Sequence, residues 1–156
     1  MEILIAKESQ LLEVLYIIRE CSQHSTDNGK KYINGSYSDY AEISRDIVNN
    51  HVYIIFLNLV PVGTITIKPF QGNDNVMLIE RLAIFPHFQR RGLAKSMIDF
   101  AEKHSRSLGR TILKGTIPAN DDSVCKLLEE KGFKNTGTLQ QTPHEILQLT
   151  YEKQLG

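Results

Sequence analysis

The sequence predicts a mixed α/β domain spanning 1–156, a sheet with helices on its faces. Three observations carry that reading. Val52–Leu57 (VYIIFL), Val62–Lys68 (VGTITIK) and Val76–Phe85 are apolar or alternating runs separated by short turn signals, the pattern of a strand meander. The third run leads into a helical pattern from Leu93 to Leu108 and then a strand at Thr111–Ile117, a βαβ crossover. A last helix and a closing strand pair complete the order β-α-α-β-β-β-α-β-α-β-β.

Met1–Ala6 reads as a short apolar strand. Ser9 is placed to cap a helix whose inward face is Leu11, Val14, Leu15 and Ile18, and the pattern stops around Cys21. Ser22–Tyr37 is polar, with turn signals at Asn28-Gly29 and Asn34-Gly35, and is the longest irregular stretch. Ser38 is placed to cap a second helix carrying Ala41, Ile43, Ile47 and Val48. Val52–Leu57 is apolar almost throughout, as a strand buried on both faces must be. Asn58–Pro61 and Gln71–Asp74 make the turns of the meander. The next helix presents Leu93, Met97, Ile98, Ala101 and Leu108 inward and stops at Gly109. Asn120 or Asp121 caps the last helix, with Val124, Leu127 and Leu128 inward and Gly132 as its stop. Phe133–Gly137 and Ile146–Tyr151 form the closing pair.

Composition narrows the function. Hydrophobic residues make up 41% and charged residues 23%, the balance of an ordinary globular protein. Eighteen basic residues match eighteen acidic ones, so no global field draws the chain to nucleic acid or to an acidic membrane. Any anion site must be local. Cys21 and Cys125 are far apart and form no CxxC pair, which favours a reducing compartment. MEILIAKESQ lacks the basic lead and long apolar run of a signal peptide, and no stretch approaches the ~20 apolar residues of a membrane span. The expected location is the cytoplasm.

The local site is the loop Gln89-Arg90-Arg91-Gly92-Leu93-Ala94, between a strand and a helix. A glycine and an alanine at the helix entrance leave its first N–H groups unscreened. Those groups have no partner within a helix, and the helix dipole adds about half a positive charge there. A diphosphate suits such a site. The string GxxxxGK[ST] of nucleotide-triphosphate loops is absent, and one glycine does not make the GxGxxG of dinucleotide folds. The alternative is a plain turn with solvated arginines.

The strand–QxxGxA–helix unit, the element order and the later N-x-x-S…L-L-x-x-K-G-F stretch together resemble the GCN5-related N-acetyltransferases, or GNAT family. The resemblance covers nearly the whole chain and is most specific over Glu80–Phe133. It implies a GNAT-type acyl-CoA N-acyltransferase fold, with a mostly antiparallel mixed sheet of about seven strands flanked by about four helices. It further implies acetyl-CoA as co-substrate, a primary amine of unidentified nature as acceptor and no metal. Homodimers are common in the family.

Residue by residue, the resemblance implies that Leu82, Ala83 and Ile84 pair their backbone with the pantetheine amides. Gln89, Arg90, Arg91, Gly92, Leu93, Ala94 and Lys95 supply backbone N–H groups to the pyrophosphate, and Arg90, Arg91 and Lys95 add charge or remain solvated. Asn120 matches the asparagine that touches the CoA arm, or is a helix cap. Counting back from Gly132-Phe133, however, Asp121 falls at the asparagine position and Leu128 at the tyrosine that commonly protonates the leaving thiolate. A leucine has no proton to give; Tyr151, Tyr37, Tyr40 or water is left for that step.

Attack by an amine on a thioester also needs a base. Glu80 is the candidate, since alternation puts it on one strand face with Val76, Leu78, Leu82 and Ile84, where partial desolvation would raise its pKa. The alternative is a structural ion pair with Arg81 or a lysine. His24, His51, His87, His104 and His144 form no ligand spacing, and Cys125 has no partner histidine. His87 lies in the loop beside the cofactor motif. A non-catalytic acyl-CoA-binding domain is the competing class, because of Leu128.

Overall fold

The computed structural model describes residues 1–25, 40–119, 121–141 and 147–156. In chain order it contains β1 (Glu2–Ile5), a 3-10 turn (Glu8–Gln10), α1 (Leu11–Ser25), α2 (Tyr40–Val48), β2 (Val52–Leu57), β3 (Val60–Pro69) and β4 (Val76–Ile84). A second 3-10 turn (Pro86–Phe88) precedes α3 (Leu93–Ser107), β5 (Ile112–Pro118), α4 (Asp122–Glu130), β6 (Lys134–Gln141) and β7 (Leu147–Gln154). The strands form a seven-stranded sheet in the order β1-β2-β3-β4-β5-β7-β6. β4 and β5 run parallel, joined by the α3 crossover, while β1–β2, β2–β3, β5–β7 and β6–β7 are antiparallel. The fold is the mixed α/β arrangement the sequence predicts. The chain divides into two compact units.

The first unit comprises Met1–Ile67 and Arg81–Met97. Its core packs Val14, Leu15 and Ile18 of α1 and Ile43 and Ile47 of α2 with Val52 and Ile54 of β2. Burial of Val52 through Ile55 is complete, as the unbroken apolar run requires. Two helix expectations change. Ser9 lies inside a 3-10 turn whose cap is Lys7, with the Lys7 N–H bonded to Gln10 Oε1 at 2.8 Å, and α1 continues past Cys21 to Ser25. In α2 the buried positions are Ile43, Asp46 and Ile47, while Ala41 and Val48 are exposed. The inward face is therefore rotated toward Asp46, whose carboxylate has a buried cationic partner there. Ser38, the expected cap, lies outside the described residues.

The second unit comprises Lys68–Glu80 and Ile98–Gly156. Ile98 and Ala101 of α3 are buried as expected, and so are Glu102 and Ser105. The Glu102 carboxylate accepts from Lys153 Nζ at 3.0 Å on both oxygens, which satisfies a charge on an otherwise apolar face. Leu108, expected inward, is 53% exposed. The helix ends at Ser107, Gly109 takes φ 75°, and the Arg110 N–H returns to the Ser105 carbonyl at 3.0 Å, so Leu108 turns outward with the reversal.

β5 and β7 pair from Ile112↔Gln154 to Pro118↔Gln148. β6 runs on to Gln141, beyond the expected end at Gly137, and its register with β7 shifts between Asn135 and Leu139, where Gly137 has φ 82°. Ile146 lies outside the described residues.

Candidate functional site

The site starts where β4 ends. Its ladder with β5 covers Val76 to Ile79, and the last pair is Ile79↔Gly115. The strand continues to Ile84, so Leu82, Ala83 and Ile84 lie beyond those paired positions. Arg81 has φ 51°, a left-handed residue in the middle of the strand. Of the expected stripe of Val76, Leu78, Glu80, Leu82 and Ile84, only Val76 and Ile84 are buried. Met77, Ile79 and Ala83 are buried with them, so the strand does not alternate simply between two faces.

Beyond the kink the backbone is anchored from several sides. The Phe85 N–H donates to the Val62 carbonyl at 2.9 Å. The Ile84 carbonyl accepts from Gln89 Nε2 at 2.9 Å and from the Cys21 thiol at 3.1 Å. Gln89 therefore ties the loop back to the strand through its side chain, and its own N–H is used by the Pro86 carbonyl at 3.2 Å. The role of Cys21 was not legible in the sequence, because its partner lies far along the chain.

Arg90 and Gly92 both adopt left-handed φ, 65° and 79°. A side chain at 92 would meet nothing within 4 Å, so the glycine serves conformation and openness rather than packing. The first α3 bond runs from the Ser96 N–H to the Gly92 carbonyl at 3.0 Å, which leaves the N–H groups of Leu93, Ala94 and Lys95 ahead of the helix ladder. Leu93 is buried and pins the entrance; Ala94 is half-buried; Arg90, Arg91 and Lys95 are exposed. The Arg91 guanidinium lies over the Phe88 ring, 5.2 Å from its centre. His87 is exposed in the preceding turn. Successive N–H groups after left-handed residues form a concave anion cradle, and the dipole of α3 adds to it.

Glu80 is ion-paired. Lys68 Nζ lies 2.9 Å from its Oε1, and the Glu80 side chain is 24% exposed. Of the two roles open to Glu80, the pairing with a lysine is the one the structure displays. Arg81 pairs elsewhere, with Asp46 and Glu42 of α2.

In the second unit, α4 is capped by Asp121, whose Oδ1 accepts the Val124 N–H at 3.3 Å. Asn120 lies outside the described residues. Leu128 is 1% exposed and belongs to the core, and the Phe133 N–H closes the helix on its carbonyl at 2.9 Å. Tyr151 is buried, with its hydroxyl 3.3 Å from Glu129 Oε2 and bonded to Cys125 as well; burial, then these two partners, raises its pKa. Burial likewise raises the Cys125 pKa, which disfavours a nucleophilic thiolate. Tyr40 is exposed, and Tyr37 lies outside the described residues.

Asp121 offers a pH test. Burial first, and repulsion from Asp122 last, raise its pKa above 3.8, against the opposing Val124 hydrogen bond. A raised folded value means the fold favours the protonated acid. That contribution is complete below the unfolded pKa and is lost as pH rises through the folded one. Asparagine keeps the cap acceptor without the charge. Asp121→Asn is therefore expected to melt higher than wild type at neutral pH, with the advantage shrinking as pH falls through the raised pKa and gone below the unfolded one. A melting series with pH reads this out.

The family model described as "Acetyltransferase (GNAT) family" matches residues 14–133. The chain belongs to the GNAT acetyltransferase family. No curated protein matches it in sequence. Among solved structures, the Thermoplasma acidophilum paiA N-acetyltransferase in complex with coenzyme A is similar at TM-score 0.76 and 18% identity, covering 98% of each chain. The yncA protein of Salmonella typhimurium, with its cofactor acetyl-CoA, is similar at TM-score 0.74 and 15% identity, covering 100% of this chain and 94% of its own. The ribosomal-protein-alanine N-acetyltransferase of Brucella melitensis is similar at 0.74 and 18%, with 99% of both chains covered. At these identities the likeness establishes the fold.

Proposed function

We propose that the protein moves an acetyl group from acetyl-CoA to a primary amine of a small molecule or protein by direct attack, in the cytoplasm. The observation that carries this reading is the cradle at the start of α3. Arg90 and Gly92 are left-handed, the N–H groups of Leu93 to Lys95 precede the helix ladder, and Arg90, Arg91 and Lys95 are exposed in the same stretch of chain. The acetyl-CoA and coenzyme A carried by two similar structures support it. Leu82, Ala83 and Ile84 offer extended backbone to the pantetheine amides, and Gln89 and Cys21 brace the Ile84 carbonyl.

In the reaction the amine nitrogen forms a bond to the thioester carbonyl carbon, and the carbon–sulfur bond breaks. The amine proton goes to Glu80, directly or through water, and the thiolate takes its proton from solvent. Leu128 has no part in that transfer. No nucleic acid, membrane or metal enters the proposal, and no helix among the described residues is long and apolar enough to cross a membrane. A second reading, an acyl-CoA-binding domain with little or no turnover, is favoured by the buried Leu128 and the ion-paired Glu80.

Calorimetric titration with acetyl-CoA comes first, followed by turnover on an amine panel. Glu80→Gln is expected to keep cofactor affinity and to lower kcat by about 10²–10⁴-fold, the usual weight of a general base. A full rate for Glu80→Gln across pH would remove Glu80 from the mechanism and leave the transferase intact. Absence of acetyl-CoA binding by the folded wild type sinks both readings.

A further inference from the structure

We infer that Arg81 is a positioning residue for cofactor binding, holding the kink from which Leu82–Ile84 set out. The inference rests on the acetyl-CoA reading above. Three observations of the first unit meet at this residue. Its φ of 51° is one that side-chain-bearing residues rarely adopt, least of all inside a strand. Its side chain is 10% exposed and its guanidinium bonds two carboxylates of α2, Asp46 Oδ2 through Nη1 at 2.8 Å and Glu42 Oε1 through Nη2. The residues directly after it are the ones whose backbone would meet pantetheine.

The two acids stand one helical turn apart on α2, so the planar fork is fixed in direction as well as in place. Asp46, at 7% exposure, has left solvent to make this contact. An extended backbone at 81 would swing the side chain off this line. The ion pairs and the left-handed φ therefore select each other. Downstream, the kinked backbone is continuous with the Ile84 carbonyl that Gln89 and Cys21 brace and with the Phe85 N–H bonded to Val62. Loosening the tether leaves the diphosphate cradle, which Leu93 and Gly92 build, in place.

The two halves of the cofactor separate this role from mere stability. Acetyl-CoA reports on both the strand end and the cradle, whereas adenosine 3′-phosphate 5′-diphosphate reports on the cradle alone. Arg81→Lys keeps a positive charge but loses the fork. If it lowers the competent population to about a tenth, acetyl-CoA affinity falls about tenfold. The nucleotide's affinity is expected to stay near wild type. Asp46→Asn, which leaves β4 unaltered, is expected to show the same selective loss, and it carries the test if Arg81→Lys does not fold. Equal weakening of both ligands, or no weakening of acetyl-CoA in folded variants, overturns the inference. Failure of the wild type to bind acetyl-CoA instead removes the reading on which it rests.

Discussion

Ala94→Glu is expected to lose acetyl-CoA binding by at least about a hundredfold while the protein folds as well as wild type. Ala94 is half-buried at the second position of α3, ahead of the first ladder bond at Ser96. A carboxylate in a first helical turn is ordinarily favourable, by ~0.3–1 kcal/mol, because it meets the positive end of the dipole. Thermal stability should hold or rise. The same carboxylate would occupy the cradle proposed for the diphosphate. At ~5 Å and an effective dielectric of ~20, one like-charge pair costs about 3 kcal/mol, or roughly two decades in affinity. Loss of binding without loss of stability separates an anion site from a packing defect. Wild-type affinity in the folded variant would mean that the α3 entrance does not hold the cofactor.

The parts of this site that the sequence displays are those where residue type itself constrains geometry. Gly92 is legible because a left-handed φ at an open helix entrance demands glycine. Gln89 and Ala94 are legible through their spacing from it. Arg90 is not, since its left-handed φ is set by the turn around it and nothing in an arginine announces one. The same blindness explains Glu80. A face assigned by alternation shows neither the pairing of Glu80 with Lys68 nor the kink at Arg81 one residue later. The pairing of Arg81 with Asp46 and Glu42 joins residues far apart in sequence. For that reason Asp46 was absent from the expected inward face of α2. Leu108 failed more simply, because the helical period was carried one residue past the helix end. Leu128, in contrast, was read correctly as an inward leucine, and its burial is what keeps the weakly catalytic reading alive.

The second large effect is expected at Gly63, and it links stability to the same strand end. Gly63 sits in β3 opposite Ile55 of β2, within the first unit. A methyl group there would lie 2.8 Å from the Ala83 carbonyl oxygen, 2.6 Å from Ile84 Cδ1 and 2.8 Å from Ile55 Cγ2. All are inside van der Waals contact. Side-chain ends can rotate away, but the carbonyl oxygen is backbone and must carry Ala83 with it. Overpacking of this kind costs about 1–3 kcal/mol. Gly63→Ala is therefore expected to lower the unfolding free energy by that amount, seen as a lower denaturant midpoint with the slope unchanged, as for a folded state strained in place. Because Ala83 lies between Leu82 and Ile84, the displaced carbonyl should also weaken acetyl-CoA at temperatures where the variant is fully folded. The nucleotide half, for which the α3 entrance is proposed, should be nearly unaffected. A Gly63→Ala protein with wild-type stability and wild-type acetyl-CoA affinity would show that β3 and the end of β4 yield freely. The close approach at Gly63 would then have no part in shaping the backbone proposed to meet pantetheine.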